Sequence, residues 1–289
     1  MDIFLKDLTG NKKAGYIFSL MMIFFVLFSF VITLVFGIIG VSENTLNALS
    51  TLAIAIASVF SGVLTKKDKK DVKNLFNKKF NPLYLILTVT LSFSMIFGLG
   101  FTNALIERLF SKIGLNTATT ELKVNSVSEY IEFAVFLALI PAIFEELFFR
   151  GALISEINTT DTFKVIISAL CFSLYHVAIS KLVYQFIYGV ILALIYIKTK
   201  NLILSIITHF LNNFIILSVE FFNIEVNLFN PITLSIGLVV MALSVYFLVK
   251  NHNFNEHNEN SEKVKDFFIP NAIMGVIICL IMIISGLFL

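Results

Sequence analysis

Two adjacent carboxylates and a guanidinium interrupt an apolar run: Pro141-Ala-Ile-Phe-Glu-Glu-Leu-Phe-Phe-Arg150. The run itself extends from near Ile131 to about Ile157. Ionisable side chains cost a few kcal/mol or more inside a bilayer, so such residues mark internal pairing or function. Glu146 and Arg150 stand four apart and share a helix face, so they pair. Glu145 lies about 100° round the helix and stays the freer carboxylate, suited to act as a general base. The same spacing recurs in Phe172-x-x-x-His176 and His209-x-x-x-Asn213. A carboxylate, a histidine and two fixed donors are the parts needed to activate water and hold an oxyanion. That chemistry is amide or ester hydrolysis without a protein nucleophile.

Each element has a plainer reading when taken singly. A Glu–Arg pair can be structural, a histidine can be a hydrogen-bonded packing residue, and Asn213 can be interhelical glue. Competing hydrolytic signatures are missing. No G-x-S-x-G elbow and no H-E-x-x-H helix occurs. Gly98-Leu-Gly100 is followed by Phe101 rather than an aspartate. Cys171 stands five residues before His176, a poor geometry for a nucleophile and its base. Cys171 and Cys279 both lie in apolar runs and read as small buried hydrophobes.

The elements that must position these groups are membrane helices. Of the 289 residues, 58% are hydrophobic and 14% charged, with mean hydropathy +0.92. Soluble domains carry about 25% charged residues. A net charge of +2 gives no reason to expect nucleic acid. Apolar runs cover about 16–40, 46–64, 83–104, 130–157, 162–179, 182–197, 201–219, 231–249 and 268–289. The first is too long for a signal-peptide core and reads as a retained span. The expectation is an all-α polytopic membrane helix bundle of eight to nine transmembrane helices. Residues 1–289 form one integral membrane domain, with 130–219 as its catalytic core.

Deep Asp, Glu, Lys, Arg and His are confined to spans four, five and seven, which places one site within the membrane between them. At 1.5 Å per residue, Glu145, His176, His209 and Asn213 reach similar depths near mid-membrane. Sixteen Lys and Arg residues fall on the side of the N-terminus and four on the other, with Arg150 inside. That bias makes the N-terminus cytoplasmic; the expected location is the cell membrane of a bacterium. Pro82, Pro231 and Pro270 stand near span starts, whereas Pro141 is mid-span and kinks its helix just before Glu145. The lysine-rich stretch 66–79 reads as a solvated loop, with a weakly amphipathic alternative around Leu75-Phe76. Segments 107–129 and 251–266 read as connectors.

Glu145-Glu146-x-x-x-Arg150, Phe172-x-x-x-His176 and His209-x-x-x-Asn213, in this order on three helices, resemble the motifs of the CPBP family. This is a family of intramembrane endopeptidases that includes CAAX proteases, bacteriocin-processing enzymes and Abi and Rce1-like proteins. The motifs span about 141–213. The resemblance implies that Glu145, helped by His176, activates water. It implies that His209 and Asn213 stabilise the oxyanion, and that Glu146 and Arg150 form a supporting pair. It also implies a peptide or protein substrate at the lipid bilayer: a prenylated tail, a leader, a pheromone or a bacteriocin. The family has been described as metal-dependent too. Zinc or another divalent metal would fall to Glu145, His176 and His209, but Asn213 suits an oxyanion hole better than a metal, which favours no cofactor. Two other classes stay open here. One is a non-catalytic bacteriocin-immunity or binding protein, and the other is a proton-coupled transporter, against which the lack of an internal repeat counts.

Overall fold

A computed structural model describes residues 8–63, 75–76, 81–115, 117, 124–250, 252–256 and 262–287. Among these there are helices and no strands. Helix α1 spans Gly10–Ile39, α2 Glu43–Val63 and α3 Pro82–Ser111. Helix α4 runs over 127–156 and alternates α and π turns. Helix α5 is Asp161–Tyr175, α6 Leu182–Thr199, α7 Leu202–Phe221 and α8 Pro231–Val249. Helix α9 covers Lys265–Gly286 with a break at Ile269.

Among the described residues seven helices are long and apolar enough to cross a membrane, and the protein is an integral membrane helix bundle. The other two expected spans hold Glu145, Glu146 and Arg150 on one and precede His176 on the other. Helix α4 is interrupted by π turns, and α5 has 15 residues, roughly 22 Å at 1.5 Å each, short of a ~30 Å hydrocarbon core. The polarity is inverted relative to a soluble protein. Phe30, Leu34 and Ile38 of α1 and Ile232, Val239 and Leu243 of α8 point outward, whereas Glu145, Glu146 and Arg150 are buried. Outward apolar side chains face a lipid solvent, and polar backbone is satisfied inside each helix.

Side-chain caps set the boundaries. Asn81 accepts from the Leu83 N–H ahead of Pro82, and Asn230 from those of Ile232 and Thr233 ahead of Pro231. These prolines sit where the missing N–H has no partner to lose. Pro270 differs: it follows the Ile269 break inside α9 rather than starting the helix. Helix α3 runs to Ser111, two turns past the expected end at 104, so 107–111 is helix and not connector.

Helix α3 packs most extensively on α8, α1 on α2, and α5 on α6. The α3–α8 crossing explains Gly98: a Cβ on Gly237 would lie 2.5 Å from the Gly98 nitrogen. Two other segments are more structured than expected. Leu75 and Phe76 are helical and pack beside Ile154, Val165 and Leu202; the rest of the lysine-rich loop lies outside the described residues. Parts of 251–266 tie the bundle together. The buried Asn11 donates its backbone N–H to Glu262 Oε2 and its Nδ2 to the Lys263 carbonyl, while its own Oδ1 accepts from the Asn158 N–H. Asp161 exchanges backbone and side-chain bonds with Asn255. The first and last helices are thereby held to the α4–α5 turn.

Gly237→Leu should force α3 and α8 apart and cost about 1–3 kcal/mol, the usual range for overpacking. Gly37→Ala, whose Cβ would meet nothing within 4 Å, should leave stability unchanged. The thermal midpoint in detergent measures both.

Candidate active site

Helix α4 carries the carboxylates, and its irregularity sets their surroundings. Pro141 has no N–H to give the Leu137 carbonyl one turn earlier. The chain widens into π turns over Ala134–Leu139 just before it, and again over Leu147–Leu153 just after the two glutamates. Such turns are rare and tend to occur at functional sites because they free backbone groups. Both freed carbonyls find partners on other helices. Leu137 O accepts from Asn213 Nδ2 of α7 at a long 3.4 Å, and Phe136 O accepts from Thr51 Oγ1 of α2 at 2.7 Å. The expected kink at Pro141 is therefore an opened helix whose loose carbonyls dock α2 and α7.

Among the described residues Arg150 is the largest fully enclosed side chain, and Glu146, Glu145 and His209 are 0%, 3% and 2% exposed. Arg150 Nη1 donates to Glu146 Oε1 at 2.8 Å, and Nη2 donates to the Gly189 carbonyl of α6 at 3.0 Å. Its guanidinium lies 4.6 Å from the centre of the Phe172 ring, a cation–π contact in a dry setting. Gly189 must lack a side chain, since its Cβ would stand 2.9 Å from the Ala169 Cα of α5. The pairing read from the i,i+4 spacing is thus present, and α6 completes it.

Glu146 Oε1 also bonds His209 Nδ1, at 2.9 Å. That contact aims His209 Nε2 at Glu145, whose Oε2 lies 3.9 Å away. Three hydroxyls steady the backbone around His209. Ser92 of α3 and Tyr188 of α6 both donate to the Thr208 carbonyl, at 3.1 and 3.0 Å, and Thr208 Oγ1 donates to Leu204 O. The His209 ring is flanked edge-on by Phe172 and Tyr188. Glu145 Oε1 accepts a long 3.4 Å bond from the Tyr175 hydroxyl, while Glu145 Oε2 is buried with no hydrogen-bond partner.

His176 does not sit inside a span as expected. Helix α5 ends at Tyr175, and His176 caps it. The ring turns back, so Nδ1 donates to the Phe172 carbonyl at 2.7 Å; a carbonyl can only accept, which leaves Nε2 as the acceptor. The Phe172–His176 spacing thus sets both a ring contact and a cap, since the His176 ring lies on Phe172 and bonds its carbonyl. His176 packs on Phe172 and Tyr175, and through Tyr175 it adjoins Glu145. Asn213 is half-buried and engaged with Leu137, and its Oδ1 accepts from Asn212 Nδ2 at 3.4 Å. The tightly joined groups are therefore Glu146, Arg150 and His209, with Glu145 facing His209 at 3.9 Å and His176 and Asn213 at the margins.

Sequence reasoning overlooked α6. It contributes the Gly189 carbonyl and the hydroxyls of Tyr188 and Tyr184, the latter donating to Asn212 Oδ1 at 2.7 Å. Tyr184-x-x-x-Tyr188 on an apolar span was the available signal, hidden by counting only charged groups and histidine.

A three-ligand metal site does not fit the described residues. No three His, Cys, Asp or Glu side chains converge among them, whereas catalytic zinc takes three protein ligands. The facing pair is Glu145 Oε2 and His209 Nε2, and His176, whose Nδ1 bonds the Phe172 carbonyl, does not join them as a third member. Both cysteines are buried free thiols, as expected.

Residues 127–215 match the family described as type II CAAX prenyl endopeptidase Rce1-like. This is the family that the three motifs resemble, and the matched segment contains all seven motif residues. No curated protein and no solved structure matches the chain.

Removing one partner of a buried ion pair strands the other, typically at about 3–5 kcal/mol. Arg150→Met should therefore destabilise the protein by about that amount in denaturant titration, whereas Tyr184→Phe should cost only about 1 kcal/mol.

Proposed function

We propose that the protein is an intramembrane endopeptidase that hydrolyses a peptide bond with water activated by Glu145. The supporting observation is the unpartnered, buried Glu145 Oε2 standing 3.9 Å from His209 Nε2. Two hydrogen bonds of about 2.8 Å meet at a point beside the line joining these atoms, so one water can touch both.

The protonation follows from charge balance. Glu145 and Glu146 against Arg150 leave one negative charge, and one proton shared by Glu145 and His209 makes the enclosed group neutral. With that proton on His209, Glu145 is the base and His209 Nε2–H a donor. Water adds its oxygen to the scissile carbonyl carbon and passes a proton to Glu145. The carbonyl oxygen becomes an oxyanion and takes a hydrogen bond from His209. Collapse breaks the C–N bond, and Glu145 returns the proton to the departing nitrogen. The products are a new carboxyl terminus and a free amine. Glu146 orients His209 and, with Arg150, is a positioning residue. His176 Nε2 aligns the water, and the second Nδ2 hydrogen of Asn213 serves the oxyanion. The family likeness supports a peptide substrate at the membrane, and its name points to prenylated tails.

Proton transfer by a positioned side chain is worth about 10²–10⁴ in rate. Glu145→Gln should lose at least about a hundredfold of kcat on an S-prenylated peptide with an unchanged thermal midpoint; His209→Ala should lose as much and also lower the midpoint, because it strips Glu146 of a buried partner. Full activity in purified Glu145→Gln would overturn the reading. Activity should also survive dialysis against a chelator; loss that zinc restores would assign the water to a metal.

A further inference from the structure

Helices α3, α7 and α8 enclose a recess that the hydrolytic cluster does not use. Helix α7 stops at Phe221, and the chain runs through 222–230 before α8 starts at Pro231. That connection lies back over α3. Leu228 Cδ2 would stand 3.1 Å from a Cβ on Gly100. The Arg108 guanidinium lies 4.0 Å from the centre of the Phe229 ring, a cation–π contact. The Phe229 N–H donates to Asn227 Oδ1 at 3.1 Å, and Asn230 Oδ1 caps α8. Between the connection and the three helices lies a cavity of about 570 Å³, within the size range of small-molecule sites. A second recess of about 370 Å³ continues it along the α3–α8 seam, and Phe93, Phe97 and Thr233 line both. Gly237, whose contact with Gly98 draws α3 and α8 together, lines the second.

Polarity in this recess is confined to one end. Its walls are apolar, with Phe97, Phe214 and Val219 among them. The wall hydroxyls are already committed: Ser218 to Tyr130 and the Phe214 carbonyl, Thr233 to the Asn230 carbonyl. Glu225, Asn227 and Asn230 line the mouth, where α7 has stopped and α8 begins. Glu225 is exposed and forms no ion pair within 4.0 Å among the described residues. With both Oδ1 atoms engaged, the Nδ2 groups of Asn227 and Asn230 remain as donors. Arg108 adds a cation on Phe229, which stands between those two asparagines in sequence. Phe93 and Ile236 are 47% and 58% exposed, so the seam opens to the surroundings of the bundle. An apolar trough that opens sideways and carries both signs of charge at one end matches an amphiphile with a long chain and a dipolar head.

We propose that the recess binds one phospholipid whose headgroup is zwitterionic and bears a primary amine, as in phosphatidylethanolamine. An acyl chain lies along the α3–α8 seam, against Phe93 and Phe97. The phosphate accepts from the Nδ2 groups of Asn227 and Asn230 and pairs with Arg108. The ammonium donates to Glu225. Hydrogen bonds to charged partners are shorter and stronger than neutral ones, so the head is held by its charges and the chain by its apolar surface. Glu225 also rejects. A lipid whose headgroup has no amine brings net negative charge to a carboxylate, and discrimination rests on that repulsion as much as on the attraction. No residue of the hydrolytic cluster lines either recess, so the lipid site does not depend on the endopeptidase reading.

The chain has no tryptophan, so Phe93→Trp places a single indole on the wall that both recesses share. Its fluorescence, read on the full-length protein in detergent, is quenched by lipids with brominated acyl chains. Two such lipids are compared, one with an ethanolamine and one with a glycerol headgroup. The ethanolamine lipid should quench at about fivefold lower concentration, the scale of an exposed charge pair. Phe30→Trp, on the outward face of α1, reads unspecific lipid contact and should show no preference. In the Phe93→Trp protein, Glu225→Gln should remove the preference, and Arg108→Gln should weaken both lipids alike. Equal quenching by the two lipids at Phe93→Trp overturns the site. A preference that survives Glu225→Gln at an unchanged thermal midpoint overturns it too. Displacement of the brominated lipid by an S-prenylated peptide would assign the recess to substrate and likewise defeat the proposal.

Discussion

One carboxylate oxygen holds the centre of this protein together. Glu146 Oε1 accepts from Arg150 Nη1 at 2.8 Å and meets His209 Nδ1 at 2.9 Å. Arg150 then reaches α6 through the Gly189 carbonyl, and His209 belongs to α7, so three helices converge on one atom. In a medium without water, these groups must find their partners in one another and in the Gly189 carbonyl. The cost of separating them is what fixes the relative rotation of α4, α6 and α7. The arrangement also decides the direction of His209 Nε2, which faces Glu145 because Nδ1 is already committed.

Around that centre the helices depart from regularity where it serves contact with neighbours. Helix α4 carries a proline and two π stretches, which would weaken an isolated helix. Here the carbonyls of Phe136 and Leu137 reappear as docking points for Thr51 and Asn213. Helix α5 stops early, and its capping histidine satisfies itself on Phe172. The turn that follows is held with Val177 in a left-handed conformation. Irregular backbone at this depth is tolerated because it is enclosed by protein.

Away from the centre the physics is simpler. Helices α1, α8 and α9 present apolar side chains to the surroundings and pack through small residues, as at Gly98–Gly237 and at Gly275 against Phe18 and Ser19. The polar ties that close the bundle lie at its end, where Asn11, Asn158 and Glu262 join segments far apart in sequence. They join the first and last helices to the turn that leads into α5, and so to the element carrying His176.

Much of this was legible in the residues themselves. Long apolar runs specified helices in a membrane, because a bilayer leaves the backbone few alternatives. The four-residue spacing of Glu146 and Arg150 specified their pairing and left Glu145 free, because helical periodicity acts locally. The tertiary structure alone decided the rest. His209 turned to Glu146 rather than standing with Asn213, and Asn213 bonded the carbonyl that Pro141 left open. Helix α6, which carries no acidic or histidine group in its apolar run, supplied Gly189 and two tyrosine hydroxyls. Those contacts join residues tens of positions apart, and helical periodicity says nothing about them. They arise because buried donors and acceptors must find partners among whichever helices packing brings near.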